Sequence, residues 1–199
     1  MSAQDRVRWD EIYRKMKGKP FPPPDPLLLN YTPPVDDSET KRALDAAAGL
    51  GQNGLWLAEQ GYTVDIMEIS RVALTRARVE VALRNLRNVN LLQIDFDDFD
   101  VDDQIYDIVC VFRYLKWDML HKLKASVVPG GRFIYETFNI HYLNIVPEFN
   151  KEFLLDIGEL KSIFQDWTLL HYDEESHITQ LVAVNIPAEA EESDDPFAW

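Results

Sequence analysis

The sequence predicts an α/β domain built on a mostly parallel β-sheet. Apolar runs typical of strands alternate with helix-like segments over most of the 199 residues, as a parallel sheet with crossover helices requires. Near the end of the chain, two strand-like runs at 167–172 and 178–186 are separated only by residues 173–177. A connection that short can join antiparallel strands but not parallel ones. The last strand is therefore expected to enter the sheet in the antiparallel direction.

The first 35 residues are predicted to form a helix and a lid. Residues 5–16 have the apolar spacing of an amphipathic helix, in which Trp9 and Tyr13 lie four positions apart on one face. A proline-dense stretch follows at 20–34 and is expected to run as an extended strap. We expect residues 1–35 to cover a domain formed by residues 36–187. Residues 188–199 are rich in acidic side chains and are expected to be a disordered tail.

Turn and capping residues delimit the elements of the sheet. The helix at 52–59 is followed by Gly61, a typical C-terminal stop, and Ser70 is placed to cap the long helix after the second strand. A further helix is expected at 115–126, between the last two parallel strands. The predicted parallel strands are those that end at Asp45 and Glu68 and those at 89–94, 106–112 and 132–137, the last of which follows a Pro129-Gly130-Gly131 turn.

A glycine turn after the first strand carries the strongest functional signal. The run from Asp45 to Gly54 reads D-A-A-A-G-L-G-Q-N-G, and Glu68 ends the next strand. Gly49 and Gly51 lack a Cβ atom, so the backbone can turn there and approach a ligand, at the place where the next helix directs its unpaired N–H groups. A carboxylate at the end of the second strand is placed to accept hydrogen bonds from both hydroxyls of a ribose. The unit therefore predicts a nucleoside cofactor.

These residues resemble the glycine motif of the class I S-adenosylmethionine-dependent methyltransferases. The likeness rests on the D-x-x-x-G-x-G run that starts at Asp45, on Glu68 and on later segments, and it extends over residues 7–186. Within that class, the chain is most similar to the small tellurite-resistance-type (TehB-like) and thiopurine-type enzymes. The resemblance implies a Rossmann-like sandwich with seven strands in the order 3-2-1-4-5-7-6, and S-adenosyl-L-methionine as the cofactor. Ala47 stands where the family usually has glycine, and its methyl group is expected either to be absorbed by a small backbone shift or to weaken cofactor binding.

The resemblance assigns roles to residues at the carboxyl ends of the strands, where ligands bind in such sheets. It implies that Glu68 holds the ribose hydroxyls, that Asp45 meets the methionyl ammonium group, and that the glycines pack against the methionyl group and the ribose. Asp95 would accept from the adenine amino group while Phe96 stacks on the ring. The residues assigned to cofactor binding are Trp9, Tyr13, Asp45, Gly49, Gly51, Glu68, Ile69, Asp95, Phe96, Phe112 and Arg113.

Few residues are needed for acid–base catalysis, because the methyl group on a sulfonium is already activated and alignment and water exclusion matter most. Trp9 and Tyr13 are candidates for a cover over the cofactor and acceptor, with a cation–π attraction to the sulfonium. Arg113 is a candidate to hold an anionic acceptor or the cofactor carboxylate, and His141 or Tyr142 is a candidate proton acceptor. Core anchoring for Trp9 and Tyr13, a salt bridge for Arg113 and a surface position for His141 stay open as structural alternatives.

Composition and the segment after the fourth strand narrow the choice of acceptor. Twenty basic residues against thirty-four acidic ones give a net charge of −14, which opposes binding to a nucleic-acid backbone. The segment 112–115 reads F-R-Y-L and not the Asn/Asp-Pro-Pro-aromatic box of enzymes that methylate bases or amide nitrogens. We therefore expect no nucleic-acid partner and a small-molecule acceptor. The candidate acceptors are an oxyanion or thiolate of sulfur, selenium or tellurium, and a small heteroaromatic.

Two other classes of function stay open. The formal G-x-G-x-x-G from Gly49 to Gly54 allows an NAD(P)-dependent oxidoreductase, and Ala47 allows a cofactor-binding interaction module without catalysis.

A cytoplasmic protein with no membrane partner is expected, because no run approaches the roughly 20 apolar residues of a membrane span and no signal-peptide core is present. Cys110, the one cysteine, is expected to be a buried structural thiol. No metal site is predicted, since the acidic residues at 95–103 show no fixed ligand spacing.

Overall fold

The computed structural model describes residues 3–36, 39–97 and 100–187, and the predicted acidic tail at 188–199 lies outside them. Two short 3-10 helices, Ile140–Asn144 and Lys151–Phe153, follow the fifth strand. The helices are α1 (Ala3–Lys15), α2 (Pro26–Tyr31), α3 (Gln52–Glu59), α4 (Arg71–Leu83), α5 (Trp117–Ala125) and α6 (Glu159–Ile163). The strands are β1 (Arg42–Ala46), β2 (Thr63–Glu68), β3 (Val89–Gln93), β4 (Tyr106–Phe112), β5 (Val127–Phe138), β6 (Trp167–Asp173) and β7 (Ile178–Pro187).

The seven strands form one mixed sheet, and the predicted order is confirmed. The order is β3-β2-β1-β4-β5-β7-β6. β1 pairs in parallel with both β2 and β4, whereas β7 pairs antiparallel with both β5 and β6. The chain moves from β1 toward one edge through β2 and β3, and then crosses back to β4 on the other side. Such a switch point opens a crevice beyond the carboxyl ends of β1 and β4, which is where an open α/β sheet binds its ligands.

The fifth strand is longer than predicted, because Pro129-Gly130-Gly131 lies inside the strand rather than before it. β5 begins at Val127, and its pairing with β4 shifts register between Tyr106 and Ile108. Gly130 has φ +80, a backbone conformation that favours glycine. The predicted turn is therefore a bulge that lets the strand continue past the extra residues.

The proline-rich strap is also less extended than predicted, because it contains the short helix α2. The Asp25 side chain accepts from the N–H of Leu27, and Pro26 occupies the first helical position, where no N–H donor is needed. Leu28 is completely buried in the core between the strap, α3 and β1. Burial of a leucine stabilises a fold by about 2 kcal/mol, so this side chain fixes the strap against the domain.

Hydrogen bonds to α4 hold the N-terminal helix over the carboxyl edge of the sheet. Asp10 Oδ1 accepts from Ser70 Oγ at 2.6 Å and from the Val72 N–H at 3.1 Å, so it contributes to the N-terminal cap of α4. One turn further along, the Arg76 guanidinium donates to the carbonyl oxygens of Met16 and Lys19 just beyond α1. Two points of attachment therefore set the position of α1 above the ends of β1 and β2.

Apolar side chains cover both faces of the sheet. One face is buried under α5 and α6, with Leu120, Phe133 and Phe164 fully buried, and the other under α3, α4 and the strap, with Leu55 and Ile66 fully buried. The core has two layers around a central sheet, as the sequence predicted. In the part of the chain that the structure describes, no helix combines the length and the apolar character that crossing a membrane requires.

Candidate active site

A cavity of about 420 Å³ opens at the switch point of the sheet, between the carboxyl ends of the strands, α1 and the strap. Its volume lies within the range of small-molecule sites, roughly 300–1,000 Å³. Eight of the predicted cofactor residues line it. They are Trp9 and Tyr13 from α1, Asp45 and Gly49 from the first strand and its turn, Glu68 and Ile69 from the end of β2, and Phe112 and Arg113 from the end of β4.

The turn after β1 uses left-handed backbone at every second residue. Ala47, Gly49 and Gly51 have φ angles of +52, +58 and +79. Glycine adopts this conformation freely, but for an L-residue with a Cβ atom it costs roughly 1–2 kcal/mol. Ala47 therefore adopts a left-handed conformation that is easier for glycine, which explains why the family usually has glycine at this position. The alanine carries backbone strain at the wall of the cavity.

Glu68 joins this turn to the start of α4. Its Oε2 accepts from the Gly49 N–H and its Oε1 from the Ser70 N–H, both at 2.8 Å. The Ile69 N–H also interacts with this carboxylate, and since a carboxylate can accept about four hydrogen bonds, it still has accepting capacity for a ligand. The side chain is buried, and burial raises its pKa in spite of the hydrogen bonds from Ser70 and Gly49. The carboxylate is thus fixed in place at the cavity before any ligand arrives.

Asp45 is a second buried carboxyl group at the cavity. Its Oδ2 accepts from the Gly54 N–H at 2.8 Å, and its Oδ1 lies 3.7 Å from Cys110 Sγ. The residue is 1% exposed, and burial raises its pKa to about 7 although the Gly54 N–H favours the charged form. A buried acid with an elevated pKa becomes fully charged when a cation binds beside it, so the site suits an ammonium group.

The raised pKa of Asp45 makes the free energy of unfolding depend on pH. In the unfolded chain this carboxyl ionises near its ordinary pKa of 3.8, whereas in the fold it keeps its proton to about 7. The cost of ionising the buried Asp45 carboxyl lowers the free energy of unfolding. This cost is absent below pH 4, grows as the pH rises and is complete above about pH 7, where it reaches roughly 4 kcal/mol. We therefore expect Asp45→Asn to gain stability over the wild type progressively from pH 4 to pH 7 and to keep a constant advantage above. Urea titrations of both proteins at a series of pH values measure this difference, and parallel profiles would contradict it.

Trp9 and Tyr13, the two aromatic residues predicted to cover the cofactor, both lie on α1. The rings of Trp9 and Tyr13 stack with centroids 5.9 Å apart, and both side chains line the cavity. A Cβ atom on Gly49 would lie only 2.7 Å from the Tyr13 hydroxyl oxygen, which shows how closely this ring approaches the turn. Burial raises the pKa of Tyr13 far above its usual value, and Glu68 and Asp45 raise it further, so the hydroxyl stays neutral.

Arg113 lies at the end of β4 in an ion pair. Its Nη2 is 2.7 Å from Glu136 Oε1, and its guanidinium lies over the Phe138 ring at 4.9 Å from the centroid. The Glu136 side chain is almost fully buried, and its other carboxylate oxygen accepts from Gln180 Nε2 at 2.5 Å. Oε1 has the charge of Arg113 beside it but no aligned hydrogen-bond donor among the described residues. Arg113 has φ +60, so the strained backbone conformation also occurs on this side of the cavity.

Five predicted residues do not line the cavity, and their assigned roles stay predictions. Gly51 lies within the turn against Ile66, and Phe96 is buried against Tyr114 with ring centroids 5.8 Å apart. His141 is exposed in a 3-10 helix after β5. The other two are Asp95, in the loop after β3, and Tyr142, which stacks on Phe138 at 4.1 Å.

The structure adds residues that the sequence did not single out. Asp25 from the strap and Asn53 from α3 line the cavity, and Glu136 pairs with Arg113, which lines it too. The Asp-Pro pair at 25–26 is a recognisable helix start, which predicts a capped helix in the strap but not its position. Among the described residues, no group of three His, Cys, Asp or Glu side chains is arranged to hold a metal ion.

Comparison with known proteins identifies the domain. Residues 43–131 match the family described as methyltransferase domain. Over this segment, which is less than half of the chain, the sequence is similar to methyltransferase domains. The matched segment runs from β1 to the start of β5 and includes the glycine turn and the end of β2. The match supports methyltransferase activity with S-adenosyl-L-methionine as the cofactor. A comparison with curated protein sequences gave no significant match.

Several solved structures share the fold of this chain. An S-adenosylmethionine-dependent methyltransferase from Mesorhizobium loti matches with a TM-score of 0.64 and 15% identity, over 80% of this chain and 96% of that one. TehB from Haemophilus influenzae matches with a TM-score of 0.67 and 13% identity, over 89% and 67% of the two chains. A protein from work on the conversion of a disulfide bond into a thioacetal group during echinomycin biosynthesis matches with a TM-score of 0.67 and 18% identity, over 90% and 91%.

The residues at the methyltransferase cavity fit the cofactor. The fixed carboxylate of Glu68 would suit a pair of hydroxyl groups, and the buried carboxyl group of Asp45 would suit an ammonium group. The turn at Gly49 leaves no space for a side chain beneath Tyr13, so the backbone itself forms that part of the wall. These features match a ribose and an amino acid group within one ligand.

Proposed function

We propose that this methyltransferase transfers the methyl group of S-adenosylmethionine to a small-molecule acceptor by in-line displacement. The candidate acceptors are a chalcogen oxyanion, a thiol and a small heteroaromatic. The observation that carries the proposal is the covered cavity of about 420 Å³, which α1 and the strap close from above. A cover with two attachment points leaves room for a small acceptor rather than for a strand of nucleic acid. The net charge of −14 supports the same choice.

The proposed roles of the cofactor residues follow from their positions. Glu68 would hold the ribose hydroxyls with its free lone pairs, and Asp45 would pair with the methionyl ammonium group. Gly49 would let the methionyl group and the ribose approach the backbone. We keep the adenine contacts of Asp95 and Phe96 as part of this proposal, since both follow β3 at the same edge of the sheet.

S-adenosylmethionine supplies an activated methyl group when it is bound. The protein then has to align the acceptor with that group and exclude water. Trp9 and Tyr13 are placed to do both, since they form a stacked aromatic wall on the covering helix, and an aromatic face also attracts a sulfonium. The domain organisation that we propose serves this arrangement: residues 1–35 cover the site, and residues 36–187 form the methyltransferase domain.

By analogy with two of the solved structures that share its fold, we propose sulfur or a related element as the atom of the acceptor that takes the methyl group. The tellurite-resistance-type resemblance of the sequence agrees with the likeness to TehB, and another neighbour comes from work on converting a disulfide bond into a thioacetal. At 13% and 18% identity these likenesses establish the fold, and the acceptor remains a proposal.

Calorimetric titration with S-adenosylhomocysteine tests the cofactor site, with NAD as the control. We expect binding in the micromolar range for S-adenosylhomocysteine and none for NAD. Release of S-adenosylhomocysteine from S-adenosylmethionine is then followed with tellurite, selenite and thiols as acceptors. Binding of NAD alone would overturn the proposed function, and tight cofactor binding without turnover on any acceptor would favour a binding module.

A further inference from the structure

A third carboxylate, Asp25, lines the cavity and has no assigned role in cofactor binding. It begins α2 in the strap, where its Oδ1 accepts from the Leu27 N–H at 2.9 Å. Its own backbone N–H donates to Asn53 Oδ1 at 2.8 Å, which ties the strap to the second residue of α3. The carboxylate is therefore held in one position on the cavity wall by contacts of its backbone and of one oxygen.

The cavity wall around Asp25 is acidic. Asp45 and Glu68 add two more carboxyl groups, and among the described residues that line the cavity Arg113 supplies the positive charge. The Arg113 guanidinium is already paired with the buried carboxylate of Glu136. An anionic acceptor would therefore meet excess negative charge, whereas a neutral acceptor with an N–H or S–H group would find oxygen atoms that accept its hydrogen bond.

We infer that Asp25 binds and deprotonates the acceptor, and that the acceptor is a neutral molecule with an exchangeable proton on sulfur or nitrogen. This inference rests on the proposed function and selects the thiol or heteroaromatic class over the oxyanion. In the transfer step, the proton of the acceptor S–H or N–H group moves to an Asp25 carboxylate oxygen while the sulfur or nitrogen atom forms a bond to the methyl carbon. The electron pair of the broken methyl–sulfur bond remains on the sulfur of the departing thioether. Asp25 then releases its proton to water.

The surroundings of Asp25 suit this task. Burial raises its pKa, while the Leu27 N–H and the charge of Arg113 act in the opposite direction. Glu136 from β5 and Cys110 from β4 also lie close enough to interact electrostatically with the carboxylate, and Asn53 from α3 accepts from the backbone N–H of Asp25. A carboxylate with a raised pKa is a better base than an exposed aspartate. It is also nearer to the proposed cofactor contacts than the exposed His141, since it lines the cavity with them.

Asp25→Asn tests the inference with little risk to the fold, because asparagine also caps helices and the backbone bond to Asn53 is retained. The matched control is Asp118→Asn, which makes the same change at an exposed residue at the start of α5. Two thiols serve as acceptors at pH 7: an alkyl thiol that is neutral and an aryl thiol that is already ionised. S-adenosylhomocysteine affinity is measured by calorimetry for every variant, alone and with the alkyl thiol present.

We expect Asp25→Asn to lower kcat/KM for the neutral thiol by about 100-fold, since a positioned base contributes 10²–10⁴-fold. The same variant should change kcat/KM for the ionised thiol and the affinity for S-adenosylhomocysteine by less than about threefold, and Asp118→Asn should match the wild type. An equal loss on both thiols, a loss of S-adenosylhomocysteine binding or an unchanged rate would overturn the inference. So would a wild type that binds S-adenosylhomocysteine and methylates selenite or tellurite but neither thiol. A wild type that does not bind S-adenosylhomocysteine would instead overturn the proposed function.

Discussion

Replacing Glu68 by alanine is expected to weaken S-adenosylmethionine binding by at least tenfold. The substitution removes the carboxylate whose free lone pairs we assign to the ribose hydroxyls, and hydrogen bonds to charged groups are worth roughly 1.5–3 kcal/mol each. It also leaves the N–H groups of Gly49 and Ser70, which now bond to Glu68 at 2.8 Å, without their acceptor. The turn then keeps the hydrogen bond from the Ala48 N–H to the Met67 carbonyl oxygen but loses its side-chain contact with β2. Calorimetric titration of the folded variant measures the loss.

Glu59→Ala is the matched control for this prediction. Glu59 is an exposed glutamate at the last position of α3, and so lies at the opposite end of that helix from the glycine turn. It takes part in a surface ion pair with Arg84, and such pairs contribute at most about 1 kcal/mol. Its replacement should leave cofactor affinity unchanged. An unaltered dissociation constant in a folded Glu68→Ala variant would rule out the ribose contact.

Gly49→Ala is expected to have an effect of similar size on cofactor affinity and to loosen the covering helix as well. The alanine would have to adopt the left-handed backbone conformation of Gly49, with φ +58, and its methyl group would lie 2.7 Å from the Tyr13 hydroxyl oxygen. Tyr13 would have to move, and its ring stacks on Trp9. We expect the free energy of unfolding to fall by about 1–2 kcal/mol from the backbone conformation. Cofactor affinity should fall by about tenfold or more, as measured by urea denaturation and calorimetry.

Two further variants separate the causes of this effect. Tyr13→Phe removes the hydroxyl that the new Cβ atom would meet, so Gly49→Ala should cost less affinity in the Tyr13→Phe background than in the wild type. Ala47→Gly makes the reverse change two residues earlier, where an alanine already has φ +52, and should stabilise the protein by relieving strain. Equal losses from Gly49→Ala in both backgrounds would show that the contact with Tyr13 is unimportant.

Local signals in the sequence predicted most of the elements, and the family resemblance implied their order in the sheet. The short connection before β7 required antiparallel pairing, and β7 does pair in that way with β5 and β6. The bounds of α3 and β4 also agree with prediction, because glycine turns and apolar runs mark both ends. Pro129-Gly130-Gly131 misled the prediction of β5, since the same residues favour a turn between elements and a bulge inside a strand.

Contacts between distant segments could not be predicted from the sequence. Tyr13 meets Gly49, the backbone of Asp25 bonds to Asn53, and Arg113 pairs with Glu136, and each of these pairs joins different elements. Nothing in the local pattern around such residues specifies a partner, because the partner is fixed only when the helices and the strap pack on the sheet. The same reason explains why Asp25 had no predicted role although it lines the cavity.

The sequence by itself determined most strands and helices and a nucleoside cofactor, because hydrophobic period, glycine placement and the carboxylate at the end of β2 are properties of single segments. The family resemblance added the strand order and S-adenosylmethionine. Only the tertiary structure decided which side chains share the cavity. Packing places α1 above the turn through Asp10 and Arg76, and it brings the carboxyl groups of Asp25, Asp45 and Glu68 to one cavity. Packing also holds Ala47 in a left-handed conformation that favours glycine, and the residue types alone did not show this conformation. Proximity across the fold, rather than residue identity, therefore determines what this site can bind.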